Sequence, residues 1–422
     1  MKIKQAFRYE LDPNCGHRTV LASHAGTARF AWNWGLAERI RRYREREGGA
    51  RFTDAFAQHR ELNARKANEF PWMYEVSKCA PQEALRDLDR AFRNFVRARR
   101  TGRYCGFPRF RRKGVHDGFR LTGAIHVRER AIQLPRLGTI RTQESTRKFR
   151  GQILSATMRR VADRWYVSLS VDVDRPEPAR VVGPAVGIDL GLKCFAMISD
   201  GTHDQAVKAP KPLARHLRLL ARRSKQHSRR LHGSRNRRWS ALRLARLHRR
   251  IRNIRTDFLH KLSTTLAKDK SALVLEDLNV RELMGNDRLA RHIADAGWSA
   301  FRRMLEYKSR WYGSQVVVAP RFLASSKTCS DCGFVLDALA LSARNWSCPA
   351  CATEHDRDRN AARNLLAWYR LATGSSPGSH ACRESSGPAD AKPAASHGSL
   401  MQESAVGPVS RLRNGCRFES VD

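Results

Sequence analysis

From residue 3 to residue 11 (IKQAFRYEL) apolar and polar positions alternate, the period of a strand with one face against a core. Beyond Pro13 the period lengthens. Leu21, Ala25, Ala28, Trp32 and Leu36 recur every three to four residues and predict a helix that carries Arg29, Arg39, Arg41 and Arg42 on its other faces. A second helix is expected from near Pro81, a residue tolerated in a first turn, with Leu85, Leu88, Phe92 and Phe95 in register. From Gly106 to about Asp174 short runs of Val, Ile, Leu and aromatic residues are broken by Gly and Pro, among them FPRF (107–110), AIQLPRLGTIRT and RWYVSLSVDV. These runs suggest a small antiparallel barrel or sheet. The first strand could pair into it, which would make the basic helical segment an insertion.

RPEPARVVGP (175–184) reads as a linker, after which the pattern restarts. VGIDLG, ending at Gly191, and the run CFAMI up to a turn at Asp200 and Gly201 predict a hairpin whose first strand carries Asp189. Leu217, Leu220, Leu242, Leu247, Ile251 and Ile254 allow two helices joined near His232 to Asn236. ALVLE (272–276) is apolar on both faces, as in a doubly covered strand. Residues 298–312 (WSAFRRMLEYKSRWY) place Phe301, Leu305, Lys308 and Trp311 on one helical stripe, before the strand SQVVVAP. After Leu371 the composition turns to Ser, Gly, Pro, Ala and Glu, too poor in apolar residues to fold, so disorder is expected.

Charge narrows the class. The 422 residues hold 80 Lys and Arg against 40 Asp and Glu, a net charge of +40. A compact chain so charged repels itself unless a polyanion neutralises it, and nucleic acid is the natural partner. Arg far outnumbers Lys, which favours bidentate contacts to phosphate and guanine. Between Asp204 and Asp257 there is no acidic residue at all. A solvated charged face would explain that run blandly, but a hairpin gripping a phosphate backbone explains its single sign. No stretch approaches the roughly 20 apolar residues that span a bilayer, and MKIKQAFRYELDP lacks a signal-peptide run. With cysteines mostly unpaired in pattern, a reducing compartment is expected, most simply the bacterial cytoplasm, associated with the nucleoid.

The candidate chemistry follows from position. Asp189 alone could be a turn residue, but it sits within a predicted strand. Glu276 closes a buried strand and must be paired, protonated or metal-bound there; Asp277 points the other way by alternation and is the weaker candidate. In HDRDRNAARNLLAWYR, Asp356 suits a helix cap, whereas Asp358, one turn in and on the face of Ala361 and Ala362, would be directed at the sheet. Three carboxylates on two strands and a helix can hold two Mg²⁺ ions about 4 Å apart for phosphodiester hydrolysis. Cys329, Cys332, Cys348 and Cys351, spaced C-x2-C-x15-C-x2-C, fit a tetrahedral zinc site. Four thiolates leave no open position, so that zinc would be structural.

Taken together, GIDLG, LEDLNV, SSKTCSDCG with CPAC, HDRDRNAARN, AFRYEL, RFAWNWGL and FPRF closely resemble the TnpB/OrfB family of bacterial insertion sequences over roughly residues 1–370. The resemblance implies an α/β protein with a RuvC-type RNase H fold and an inserted zinc ribbon, plus an N-terminal small β-barrel interrupted by a helical domain. It divides the chain into a wedge-like β-barrel (1–12 and 106–176), a helical recognition domain (13–105), a RuvC-like nuclease domain (181–324 and 354–371) with a basic helical hairpin (211–260), a zinc ribbon (325–353) and a tail (372–422). It further implies a metal-dependent DNA endonuclease that binds a guide RNA from the transposon end and cuts double-stranded DNA beside a short motif, with no membrane partner. The family's acidic triad falls on Asp189, Glu276 and Asp358, as Mg²⁺ ligands, and its zinc ligands on the four cysteines. A recombinase accessory and a cleavage-dead guided repressor are the competing readings. No tyrosine or serine has the surroundings of a strand-joining nucleophile, and the unbroken triad argues against the repressor.

Overall fold

The computed structural model describes residues 1–45, 53–340 and 342–374. The tail expected from residue 372 lies outside the described residues from 375 onward, and the last helix runs on to Thr373.

Strand β1 (Lys2–Asp12) is followed by three helices, α1 (Cys15–Glu45), α2 (Ala55–Lys66) and α3 (Cys79–Arg100), and only then by β2 (Gly118–Leu121), β3 (His126–Arg128), β4 (Ala131–Leu134), β5 (Gly138–Thr142), β6 (Gln152–Val161) and β7 (Arg164–Asp174). These seven strands form one sheet in the order β2-β6-β7-β1-β5-β4-β3. β1 lies antiparallel to β7 from Lys2 opposite Asp174 to Leu11 opposite Trp165, and its end also meets β5. In β7 the alternation is complete, with Trp165, Val167, Leu169, Val171 and Val173 buried and the residues between them more exposed. That apolar face shares one core with the helices, where Leu21, Trp32, Leu36, Leu85 and Leu88 meet Phe119, Leu121 and Ile140. Hydrogen bonding does not close the expected barrel among the described residues: β2 and β3 are its edges, and α1 and α3 cover β2 instead. Gly35 lets α1 and α3 approach, since a Cβ there would lie 2.6 Å from Leu85 Cδ2.

Two expectations for this half change, and one helix is added. Arg39, assigned to an outer face, is buried: it donates to Gln58 at 2.8 Å, pairs with Asp89 at 3.2 Å and lies over the Phe92 ring. It stands three residues after Leu36 and so belongs to the core stripe. FPRF forms no strand, because Pro108 lacks an N–H and the neighbouring backbone is taken by side chains of α1. Trp32 Nε1 donates to Arg109 O, and Asn33 exchanges two hydrogen bonds with the Arg111 backbone. Helix α2 carried only a faint period, its buried positions being Ala55, Gln58 and Leu62.

The second half is built on β8 (Val186–Leu190), β9 (Ala196–Ser199), β10 (Asp204–Val207), β11 (Ala272–Glu276) and β12 (Gln315–Ala319), in the order β10-β9-β8-β11-β12. β8, β9 and β10 form an antiparallel meander, while β11 runs parallel to both β8 and β12. Between β10 and β11 stands a hairpin of α4 (Pro212–Ser228) and α5 (Arg235–Asp269); after β11 come α6 (Val280–Leu283), α7 (Asp287–Ala296) and α8 (Trp298–Tyr312). Leu273 and Leu275 of β11 join Leu259, Ile293, Phe301 and Leu305 in one core, whereas Val274, between them, joins Leu365 and Trp368 in another. The sheet therefore has helices on both faces. Lys308, on the apolar stripe of α8, is buried and satisfied by His260 O, Ser263 Oγ and Thr264 Oγ1, each at 2.7 Å; burial pulls its pKa down to about 8.

Between β12 and the last helix the chain makes β13 (Asn345–Ser347) and β14 (Glu354–Asp356), an antiparallel pair, and then α9 (Arg357–Thr373), which packs on β8, β9, β11 and β12.

Candidate active site and metal centre

Strand alternation aims two of the carboxylates. Gly187 and Val274 are register partners on β8 and β11, and each carries an acid two residues further along the same face, Asp189 and Glu276. Val274 packs toward α9, so both carboxylates do too. α9 can come close because Gly187 has no side chain: a Cβ there would lie 1.9 Å from Ala362 O, inside the helix backbone. The first glycine of GIDLG is thus required by the approach of the helix that delivers Asp358. At the other end of the motif, a Cβ on Gly191 would lie 4.0 Å from Asp358 Oδ2.

Asp356 caps α9, its side chain accepting from Arg359 N at 3.0 Å. Asp358 is consequently the second residue of the helix, in its first turn rather than one turn in. Asp277 faces away and is held by Arg302 (2.9 Å) and Arg321 (3.0 Å), whose hydrogen bonds keep its pKa below the usual range.

Asp189 is acted on by the other two acids. Burial, then Asp358, then Glu276 push Asp189 up to about 7, against the opposing pull of Arg357 and Arg344. Burial also raises Glu276, with Arg357 opposing and Asp277 adding to the rise. Arg344 Nη1 reaches Asp358 Oδ1 at 3.2 Å, and the Arg344 carbonyl accepts from Arg357 N at 2.7 Å. Carboxylate oxygens are the ligands a hard divalent cation takes, and a cation held by Asp189 would offset the burial and like charge that raise it.

The four cysteines form a tighter object. Their Sγ atoms all lie within 4.8 Å of one another, with Cys329 to Cys351 at 3.6 Å and Cys332 to Cys348 at 3.5 Å. Zinc–sulfur bonds of about 2.3 Å in a tetrahedron need sulfurs at about this spacing, so the donor set fits zinc. No other group of three or more His, Cys, Asp or Glu among the described residues is gathered so closely, the carboxylates included. His355, buried and stacked on Trp346, sets Nε2 at 3.0 Å from Cys329 Sγ.

Two residues that sequence reasoning passed over dock this cluster onto α9. Asn360 accepts from Ser330 N at 2.9 Å and donates to Thr328 O at 2.7 Å; Asn364, one turn on, donates to Ser325 O and Thr328 O. Their spacing of four in DRNAARN was the available signal.

Residues 168–287, which include Asp189 and Glu276, match the OrfB_IS605 family, described as "Probable transposase". Residues 298–365, which include the cysteines and Asp358, match the Cas12f1-like TNB domain. A Streptomyces pristinaespiralis protein named as a proposed RNA-guided DNA endonuclease is 36% identical over 390 residues, covering 91% of this chain and 94% of its own length. The chain belongs to the TnpB/OrfB family. Escherichia coli InsQ, another proposed RNA-guided DNA endonuclease of that family, is 31% identical over 87% of this chain and 92% of its own. Among solved structures, the Cas12f1 protein of a complex with sgRNA and target DNA superposes with a TM-score of 0.52 at 14% identity, covering 86% of this chain and 99% of that one. The family's helix-turn-helix domain matches residues 1–48, where the described residues form β1 and the single long helix α1. No helix among the described residues is long and apolar enough to cross a membrane.

Proposed function

We propose that this member of the TnpB/OrfB family is an RNA-guided DNA endonuclease, with Asp189, Glu276 and Asp358 as its catalytic carboxylates. The observation that carries the site is the convergence of three acids from β8, β11 and α9, close enough that two of them help push the third to about 7. Asp358 is paired with Arg344, whereas Asp189 and Glu276 have no ion-pair partner among the described residues, which favours a cation there. The strand order, an antiparallel meander followed by two strands parallel to its first, agrees with a RuvC-type RNase H domain spanning 181–324 and 354–371. In this reading the seven-stranded sheet is the wedge-like domain, residues 13–105 the recognition helices and 325–353 a structural zinc ribbon.

Bound at the carboxylates, two Mg²⁺ ions would supply Lewis acidity toward the scissile phosphate and lower the pKa of attacking water. Asp189 and Glu276 are fixed by adjacent strands of one sheet, so their separation is set by backbone register rather than by loop geometry. Arg344 restrains the Asp358 carboxylate, and Arg357 adds positive charge at the site's edge. The acid-free stretch between Asp204 and Asp257 would hold phosphates of an RNA or of its heteroduplex with DNA.

The test is to purify the protein from cells carrying its gene with flanking DNA, sequence the retained RNA, and challenge the complex with matching plasmid. One discrete RNA from the gene's 3′ end, with Mg²⁺-dependent cutting of matching DNA alone, is the expected result. A smear of cellular RNA and no guided cutting would overturn the reading.

A further inference from the structure

The α4–α5 hairpin ends in a small cavity whose residues lie in sequence between Asp189 and Glu276. Its volume is about 210 Å³, and it is lined by Arg223, Gln226, Arg230, Asn236, Trp239 and Arg243, with Ser240 beside them. Hydrogen bonds hold the backbone around it. Arg223 donates to Arg243 O across the hairpin at 3.1 Å, and His227 meets Ser240 Oγ at 2.8 Å. Arg237 spans the turn, donating to His227 O and Arg230 O, while Ser234 caps α5 by accepting from Arg237 N. Among the described residues none of Arg223, Arg230 and Arg243 has an acidic partner, and Trp239 leaves 52% of its surface in water.

Each part has a bland explanation by itself, since arginines solvate well and single exposed aromatics are common. Their conjunction does not. Three guanidinium groups facing a common space repel one another and call for an anion, and the flat indole offers a stacking surface that a simple ion or a carboxylate side chain does not use. Gln226 and Asn236 add both donors and acceptors, the complement of a base edge. We propose that this cavity is a binding site for one unstacked nucleotide of a single-stranded nucleic acid, with Trp239 stacking on the base and Arg230 and Arg243 on the flanking phosphates. A paired nucleotide cannot present its face to Trp239, so the site distinguishes single strands from duplex.

This rests on the nucleic-acid reading above, and one titration separates the two. The full-length protein is titrated, over a range of salt concentrations, with a short single-stranded RNA carrying a 2-aminopurine, with the DNA of the same sequence, and with the blunt duplex. Trp239→Ala is expected to weaken single-strand binding by about 5- to 150-fold, the range for one stacked base, and to leave duplex binding unchanged. Trp239→Phe should recover most of the loss. Arg230→Gln with Arg243→Gln should lower the salt slope for single strands by about 1.4, two phosphate contacts' worth. Tighter binding of the RNA points to the guide as occupant, tighter binding of the DNA to an unpaired strand of the target. If wild type binds but Trp239→Ala changes nothing, or weakens single strand and duplex alike, the pocket is only charged surface and the proposal falls. If wild type binds none of the three probes, the nucleic-acid reading falls with it.

Discussion

The four-cysteine cluster and the carboxylate centre are adjoining sites with opposite construction. Each CxxC pair is a local knuckle: Gly333 N returns to Cys329 O at 3.0 Å and Ala352 N to Cys348 O at 2.9 Å, with Gly333 and Ala352 at positive φ. The short strands β13 and β14 flank the second knuckle, and a lone bridge between Thr328 and Val335 flanks the first. The carboxylates come from positions 189, 276 and 358, and no local turn relates them; they meet through sheet register and through the missing side chain of Gly187. The cysteine site, once filled, is closed on all four sides. The carboxylate centre draws its acids from three separate elements and leaves Asp189 under the influence of the other two. In the proposed reading, stability is concentrated in the first and reactivity in the second.

If that contrast holds, the largest effect comes from emptying the closed site. Cys348→Ser, or a strong chelator, should take bound zinc from one per chain toward none and release amide protection across 325–353, because zinc binding of about 10–16 kcal/mol in isolated fingers is also folding free energy. Metal analysis together with hydrogen exchange reads both; a protected ribbon without zinc would break the comparison. Next in size is Asp189→Asn. Cleavage should fall by at least about 10²–10³-fold, while zinc content and retained RNA stay as in wild type. Loss of RNA along with cleavage would mean that Asp189 holds the fold together rather than a cation.

How much of this was legible in the sequence follows the same division. The cysteine spacing could be read directly, since its logic is local. The strand positions of Asp189 and Glu276 could be read because each sits in or at the end of an apolar run, where a bare carboxylate needs a reason. Asp356 and Asp358 were separable by helix-capping rules. Arg344 could not be found, because its partner Asp358 lies on a different element and no period links them. Arg39 was misplaced since a charged residue on a core stripe looks like an outer position until Asp89 and Phe92 are seen waiting for it. FPRF read as a strand because its aromatic content is that of a strand, whereas the hydrogen-bond partners of its backbone are side chains 77 and 78 residues away.

The seam between the two sites gives a smaller effect. Asn360→Ala removes the acceptor of Ser330 N and one donor to Thr328 O, at a cost of about 1–3 kcal/mol for buried groups left unsatisfied. Zinc should remain bound, since no ligand is touched. Cleavage should nevertheless drop, because the ribbon also carries Arg344 to Asp358. Unchanged cleavage with a loosened ribbon, measured by limited proteolysis, would show that the two sites merely sit side by side.

The smallest effect is the most specific to the carboxylate centre. In metal-free protein Asp189 has a folded-state pKa of about 7, above the ordinary 3.8, so its protonated form favours the fold. The sign follows: the associated stability is fully present below about pH 4, declines as pH rises, and is gone above about pH 7, where the ionised cluster must be tolerated. Discounted for the partial exposure of Asp189, the difference is on the order of 1–2 kcal/mol. Asp189→Asn stays neutral throughout. Without metal at pH 8 the variant should therefore melt a few degrees above wild type, and that advantage should shrink as pH falls toward 4. Adding Mg²⁺ at pH 8 should raise the melting temperature of wild type and do much less for the variant. A catalytically dead variant that is more stable than its parent until the cation is added is the signature of a site held in conflict for chemistry, and a variant that melts lower at every pH would assign Asp189 to the fold instead.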